Sequence, residues 1–191
     1  MRIIAGKAKG TRLAAPKDRH VRPTTDRMRE RLFNILAHGL EGFELAGARV
    51  LDLFAGTGAL GFEALSRGAD YALFIDDNAG ARGLIRENAE RLAMTGHCKI
   101  WRRDAARLGK AGNMPPFDLI FLDPPYGRGL GEQALAGAVD GGWLKRGAII
   151  VFEESAEAEA RLAPGIIELD RRAQGDSQLV IGRYESGDES A

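Results

Sequence analysis

Apolar residues recur along this chain at two different periods. In RPTTDRMRERLFNILAHGL (22–40), Met28, Leu32, Ile35 and Leu36 fall at i, i+4, i+7 and i+8, the stripe of an amphipathic helix. Arg27 and Arg31 share a different face; Thr24 or Thr25 can cap the helix and Asp26 suits its first turn. From residue 48 onward, short apolar runs alternate with helical stretches. ARVLDLF (48–54), YALFI (71–75), KIW (99–101), FDLIFL (117–122) and AIIVFEE (148–154) read as strands. ALGFEALSRG (59–68, closed by Gly68), NAGARGLIRENAERLAM (78–94) and EQALAGAVDG (132–141) read as helices. Unbroken apolar strands are buried on both faces, and βαβα alternation predicts a parallel sheet covered by helices on both sides. GIIELDRR and SQLVIGRY, joined by AQGD with Gly175 free to take positive φ, predict a closing hairpin. The expected fold is therefore α/β: a Rossmann-like, seven-stranded mixed sheet, mostly parallel with a C-terminal antiparallel hairpin. Residues 1–20 read as a small extended arm, with Gly6 and Gly10 between its apolar pieces.

Composition narrows the classes. At roughly 100–200 residues per domain, 191 residues favour one domain with a small appendage. The expected division is a basic arm and helix at 1–40, the main domain at 41–185 and a disordered acidic tail at 186–191. Cys98 is the single cysteine, which excludes an internal disulfide and fits a reducing cytosol, so the expected location is cytoplasmic. His20, His38 and His97 have no metal-ligand spacing, so no metal is expected. No run of about 18 apolar residues spans a membrane, and the N-terminus lacks the apolar core of a secretory signal. A monomer is expected. Net charge is zero, but residues 1–31 hold ten Lys and Arg against three acids, a net +7 balanced by −7 elsewhere. Such a basic head points to a polyanion. Lys7, Lys9, Arg12, Lys17, Arg19, Arg22, Arg27 and Arg31 are its candidate phosphate contacts.

Between the first strand and the first helix of the alternating region stands VLDLFAGTGALG, with Gly56-x-Gly58-x-x-Gly61. A glycine loop in that context brackets a ligand with a nucleoside end. Asp76 ends the second strand twenty residues after Gly56, where a carboxylate accepts hydrogen bonds from ribose hydroxyls. The literal glycine fingerprint would fit NAD(P) and a dehydrogenase. Asp52 argues otherwise, because a carboxylate inside the strand suits a cationic ligand and opposes a pyrophosphate.

The second motif is Asp123-Pro124-Pro125-Tyr126, directly after the fourth strand. Two prolines fix φ near −65° and cannot continue a ladder, so they make a rigid extended corner. An acid and an aromatic are pinned there, at the sheet edge that carries the glycine loop. A nucleobase amine is a poor nucleophile because its lone pair is delocalised into the ring. Hydrogen bonds from its two protons, to the Asp123 carboxylate and the Pro124 carbonyl, favour a pyramidal nitrogen. Tyr126 offers a face on which the base stacks.

LDLFAGTGALG resembles motif I of S-adenosylmethionine (SAM)-dependent methyltransferases, and Asp-Pro-Pro-Tyr resembles the amino-group methyltransferases that act on nucleobases. On that resemblance the fold is the class I methyltransferase fold. Asp52, Gly56 and Gly58 line the methionine end of SAM, and Asp76 holds the ribose. Asp104 contacts the adenine, or else caps the turn AARLGK. MRIIAGKAKGTRL, RPTTDRMRERLFNIL, VLDLFAGTGALGFEALSRGA and FDLIFLDPPY together resemble the bacterial 16S ribosomal RNA guanine-N2 methyltransferases of RsmD type. The match runs in order over residues 1–126, with a looser echo at AQGDSQLVI. It implies methylation of the N2 amine of one guanine in small-subunit rRNA, free or in an assembled subunit. Three positions depart from the pattern. Tyr126 stands where Phe is common. Asp76-Asp77-Asn78 replaces acid-x-Asp, so either Asp76 or Asp77 holds the ribose. Gln174 stands where the pattern has a Tyr. Arg22-Pro23-Thr24-Thr25 contacts RNA or lines the pocket. Two alternatives stand beside this reading: an adenine-N6 methyltransferase on DNA or RNA, and an rRNA-binding assembly factor without catalysis.

Overall fold

The structure, a computed structural model, describes residues 1–16 and 26–185. The capping threonines, Lys17, Arg19, His20, Arg22 and the acidic tail lie outside the described residues. Helices α1 (Asp26–His38), α2 (Ala59–Ser66), α3 (Ala79–Arg91) and α4 (Leu130–Asp140) surround seven strands: β1 (Arg49–Leu53), β2 (Tyr71–Ile75), β3 (Cys98–Trp101), β4 (Phe117–Leu122), β5 (Leu144–Ser155), β6 (Ile166–Gln174) and β7 (Ser177–Tyr184). They form one sheet in the order β3-β2-β1-β4-β5-β7-β6. β1 to β5 pair in parallel; β7 runs antiparallel between β5 and β6. The seven-stranded mixed sheet and its C-terminal hairpin are thus as the hydrophobic pattern predicts, with Gly175 at φ 66° in the turn.

Alternate strand residues feed two cores. Val50, Phe74, Phe121 and Val151 pack under α1, α2 and α3; Leu51, Leu53, Ile75, Ile120 and Phe152 pack under α4 with Trp143. The order reverses between β1 and β4, the switch point at which open α/β sheets bind ligands. Leu53 stands opposite both Ile75 and Leu122. The chain segments that follow these three residues therefore leave the sheet side by side.

Some boundaries differ from the sequence reading, for local reasons. α3 stops at Arg91, not Met94: Ala93 takes φ 54°, and the Met94 amide donates back to the Ala89 carbonyl. That is a left-handed helix stop made without glycine, so no sequence signal marks it. β5 starts at Leu144, because Lys145, Arg146 and Gly147 extend it beyond the apolar core.

The N-terminal arm is a small hairpin and not an extended tail. Arg2 bridges Arg12, the Ile3 amide donates to the Thr11 carbonyl at 3.0 Å, and Ile3 and Leu13 are buried. Polar side chains of the core grip it. Glu63, fully buried on α2, accepts from the amides of Ile4 (2.8 Å) and Ala5 (3.1 Å). Ser66 donates to the Ala5 carbonyl and accepts from the Ala8 amide. Asn88 of α3, also fully buried, accepts from the Ala14 amide at 2.7 Å and donates to the carbonyls of Ala14 and Thr57. Arg29, one of the ten basic residues of the head, is fully buried; it donates to the Arg2 carbonyl and to Asp26. It belongs to the anchorage and is not exposed to a polyanion.

Gly6 sits at φ 81°, and a Cβ there would lie 1.8 Å from the Ser66 carbonyl oxygen, to which the Lys7 amide donates. Gly6→Ala should lower the unfolding free energy by about 1–3 kcal/mol from backbone strain alone. Denaturant titration measures the loss, and hydrogen exchange should quicken first at the Lys7 amide.

Candidate active site

The glycine loop leaves β1 through Phe54, a non-glycine residue at φ 60°. A bulky residue at positive φ is strained, and such strain gathers at functional sites. Gly58, at φ 76°, starts α2, and a Cβ on it would lie 2.7 Å from the Phe62 ring. Gly61 lets α2 approach β2: its Cβ would stand 2.4 Å from the Phe74 ring. At Gly56 the corresponding direction is nearly open, with only the Phe54 carbonyl oxygen at 4.0 Å. The loop is tight where it meets the fold and open where a ligand would approach.

Carboxylates ring this loop. Asp52 is buried in β1 and accepts from the Gly61 amide at 3.0 Å, in the first turn of α2. Asp76, half-buried at the end of β2, accepts from the Gly56 amide at 2.9 Å and the Asn78 amide at 2.8 Å. Asp77 is exposed, and its backbone carbonyl accepts from Arg82. Asn78 caps α3 through the Ala81 amide, the task an aspartate would perform there. Of the two acids, Asp76 is the one joined to the glycine loop. Asp104 is exposed and accepts from the Ala106 amide, so it caps the turn 105–107.

Asp123 follows β4 directly. Pro124 is buried against the first turn of α4, where a Cβ on Gly131 would come within 3.1 Å of its ring. Tyr126 is 41% exposed, and its hydroxyl donates to Glu153 Oε1 at 2.8 Å. The Ser177 hydroxyl donates to the same oxygen at 3.1 Å. Glu154 accepts from the Gly127 amide at 3.0 Å. Neither Glu153 nor Glu154 stands out in the sequence reading; the visible signal is two acids closing an apolar strand beside the switch point. A small cavity lies between Glu153 and α1, lined by Met28, Leu60, Leu122 and Glu153 among others. Lys7, Lys9, Arg12, Arg27 and Arg31 all reach the surface, and Asn88 links the arm that carries the first three to Thr57 of the glycine loop.

The carboxylates of the two motifs act on one another. Burial lifts Asp52 well above the usual carboxylate range; the Gly61 hydrogen bond opposes this, and the charges of Asp123 and Asp76 add to it. Burial, then the charges of Glu153 and Glu154, lift Asp123 to about 7. Tyr126 is raised as well, by burial and by its bond to Glu153.

The sequence model of the family described as Conserved hypothetical protein 95 matches residues 1–183. Ribosomal RNA small subunit methyltransferase D of Escherichia coli K12 is 41% identical over 159 residues, 82% of this chain and 76% of that protein. The protein of the same name from Haemophilus influenzae is 37% identical over 155 residues, 80% of this chain and 78% of its own length. The structure of yhhF from Escherichia coli superposes with a TM-score of 0.85 at 33% identity, covering 98% of this chain and 99% of that one. The chain belongs to the RsmD family of methyltransferases. Its sheet is the Rossmann-like class I methyltransferase fold, and SAM is the methyl donor that membership implies. The residues present fit that donor: an acidic cleft beside an open glycine loop would favour an ammonium and a sulfonium over a pyrophosphate. No described helix is long and apolar enough to cross a membrane.

Asp123 binds its proton more tightly in the folded protein than in the unfolded chain. Its ionisation therefore destabilises the fold as pH rises from about 4 to about 7, by an amount equivalent to about 4 kcal/mol at most. Asp52 acts in the same direction. Asp123→Asn should gain stability over the parent protein at pH 8 and little at pH 4.5, as read from urea unfolding at both values.

Proposed function

We propose that this chain transfers the methyl group of SAM to the exocyclic N2 amine of one guanine in 16S ribosomal RNA. The observation that carries the reading is the adjacency of Asp123-Pro124-Pro125-Tyr126 to the Gly56–Gly58 loop at the switch point. In this reading Asp52, Gly56 and Gly58 hold the methionine end of SAM, Asp76 the ribose and Asp104 the adenine. When bound, SAM supplies an electrophilic methyl whose departure neutralises a positive sulfur.

The protein's part is orientation and charge. The Asp123 carboxylate and the Pro124 carbonyl accept hydrogen bonds from the two N2–H groups and turn the nitrogen lone pair toward the methyl. Tyr126 stacks on the base, worth about 1–3 kcal/mol by comparison with single-strand binders. A near-attack arrangement of this kind lowers a barrier by up to about 7–11 kcal/mol. Asp123 must be ionised to accept the N2–H hydrogen bond in this way, so its raised proton affinity places the low-pH limb of activity nearer neutrality than an ordinary aspartate would. The target must leave its stack, so a loop or a flipped base is the substrate.

Residues 1–40 form the RNA-facing appendage and 41–185 the transferase unit. Lys7, Lys9, Arg12, Arg27 and Arg31 meet phosphates, and Arg22 completes the set from outside the described residues. The names of the relatives support rRNA as the substrate, and the exposed basic arm beside the glycine loop is consistent with it.

Incubation with unmodified small subunits and methyl-labelled SAM, followed by mapping of the labelled nucleotide, tests the reading. One N2-methylguanosine is expected; label at N6 of adenine, or none, overturns it. Asp123→Ala should lower kcat by about 10²–10³, the cost of losing one oriented charged hydrogen-bonding group. Alanine at both Lys7 and Lys9 should weaken RNA binding. The slope of log affinity against log salt should flatten by about 0.7–0.9 for each phosphate no longer neutralised, measured by filter binding.

A further inference from the structure

Glu153 is an expensive residue for the fold to hold where it is. It is only 9% exposed, at the end of an apolar strand, and its charge faces that of Asp123. A buried carboxylate beside another carboxylate is stabilised only by what it accepts. Glu153 Oε1 accepts from two hydroxyls, those of Tyr126 at 2.8 Å and Ser177 at 3.1 Å. One donor belongs to the β7 strand that flanks it. The other belongs to a ring that is 41% exposed and stands in the motif loop.

The next residue of the strand completes the grip. Consecutive side chains of a strand point to opposite faces. Glu154 nevertheless reaches the same loop, accepting from the Gly127 amide at 3.0 Å while it also holds the Ser155 amide at 2.8 Å. Tyr126 is thus fixed at its hydroxyl by Glu153, and its following peptide is fixed by Glu154. The Glu154 contact holds backbone and would hold any residue at position 126. The Glu153 contact is made to the tyrosine side chain and fixes the plane of its ring.

We propose that Glu153 is a positioning residue: through the Tyr126 hydroxyl it locks the Tyr126 ring as the platform on which the target base stacks. The inference rests on the reading of Tyr126 as the stacking face, and it assigns Glu153 no contact with the base or with SAM. A free tyrosine ring turns about two side-chain torsions, and a base stacked on it would wander relative to Asp123. A ring anchored at both ends keeps the base amine in one place.

The test is a double-mutant cycle in the full chain with rRNA substrate, using Glu153→Ala, Tyr126→Phe and their combination, with Glu153→Gln as the conservative variant. Glu153→Ala and Tyr126→Phe should each lower kcat/KM for RNA about tenfold and leave KM for SAM within about twofold. The combined variant should fall no further than either alone, because both remove the same hydrogen bond. Glu153→Gln keeps an accepting oxygen and should recover to within about threefold of the parent.

Three results would overturn the proposal: losses that multiply in the combined variant, a Glu153→Gln protein as impaired as Glu153→Ala, or a parallel rise in KM for SAM. The second would make the negative charge the active feature, and the first would give Glu153 a role separate from Tyr126. Should Glu153→Ala not fold, the 13C resonance of the Tyr126 hydroxyl-bearing carbon in RNA-free Glu153→Gln and Ser177→Ala proteins carries the test. Shift and rate should move together: a variant that keeps the parental shift keeps near-parental kcat/KM and one that displaces it loses rate, whereas displacement without a loss of rate overturns the proposal. The cycle is run on whichever base the parent protein methylates. A base other than guanine therefore defeats the function proposed above and leaves this inference tested on its own terms.

Discussion

Everything at this site depends on β1 being paired in parallel on both sides. Leu53 lies opposite Ile75 on one flank and Leu122 on the other. Three loops that are far apart along the chain therefore start from one point of one edge. Parallel pairing needs long crossovers, and α2 and α3 provide them on the face that also receives the N-terminal hairpin. The glycines serve this geometry first: Gly58 makes room for the ring of Phe62 as α2 begins, and Gly61 lets α2 lie close on Phe74. Only Gly56 keeps an open flank. The glycine fingerprint therefore has a packing role beside any ligand chemistry: a Cβ at Gly58 or Gly61 would meet an aromatic ring, and one at Gly56 would not.

The same convergence collects negative charge. Asp52, Asp76, Asp123, Glu153 and Glu154 come from neighbouring strand ends, and their mutual repulsion adds to the rise of Asp52 and Asp123. Each carboxylate with a hydrogen bond here takes it from neutral donors, either backbone amides or hydroxyls. Amides stabilise a carboxylate without cancelling its charge. The cleft therefore keeps its acidic character, and a cationic ligand of the kind proposed would relieve the repulsion on entry. The stability lost in the free protein and the affinity gained by a cation have one electrostatic origin.

The sheet is legible in the sequence because its strands are buried on both faces and so leave unbroken apolar runs. Residues 52, 56, 58, 76, 123 and 126 stand out as well, because glycines and prolines mark backbone that cannot be ordinary. What escapes a sequence reading is non-local. Glu153 and Glu154 join the site only through the pairing of β4 with β5, which no spacing encodes. Arg29 looks like one more cation of a basic head, yet the return of the hairpin onto α1 and α2 buries it. The arm reads as extended because its cross-bridge joins Arg2 to Arg12 by two residues with no strand pattern around them. Ala93 stops α3 in a conformation that glycine usually signals.

The arm's anchorage bears on how the basic head and the cleft relate. Lys7, Lys9 and Arg12 stand on a hairpin held by Glu63 and Ser66 of α2 and by Asn88 of α3. α2 starts at the glycine loop, and Asn88 also binds the Thr57 carbonyl within it. The elements that grip the hairpin are thus the ones that shape the cofactor loop. A buried amide with three hydrogen bonds leaves little room for relative motion, since loss of any one strands a desolvated group. The basic hairpin and the glycine loop are joined through one buried side chain, Asn88. In the proposed reading, a polyanion bound along the hairpin would be registered against the cleft by the same hydrogen bonds that tie Ala14 and Thr57 to Asn88.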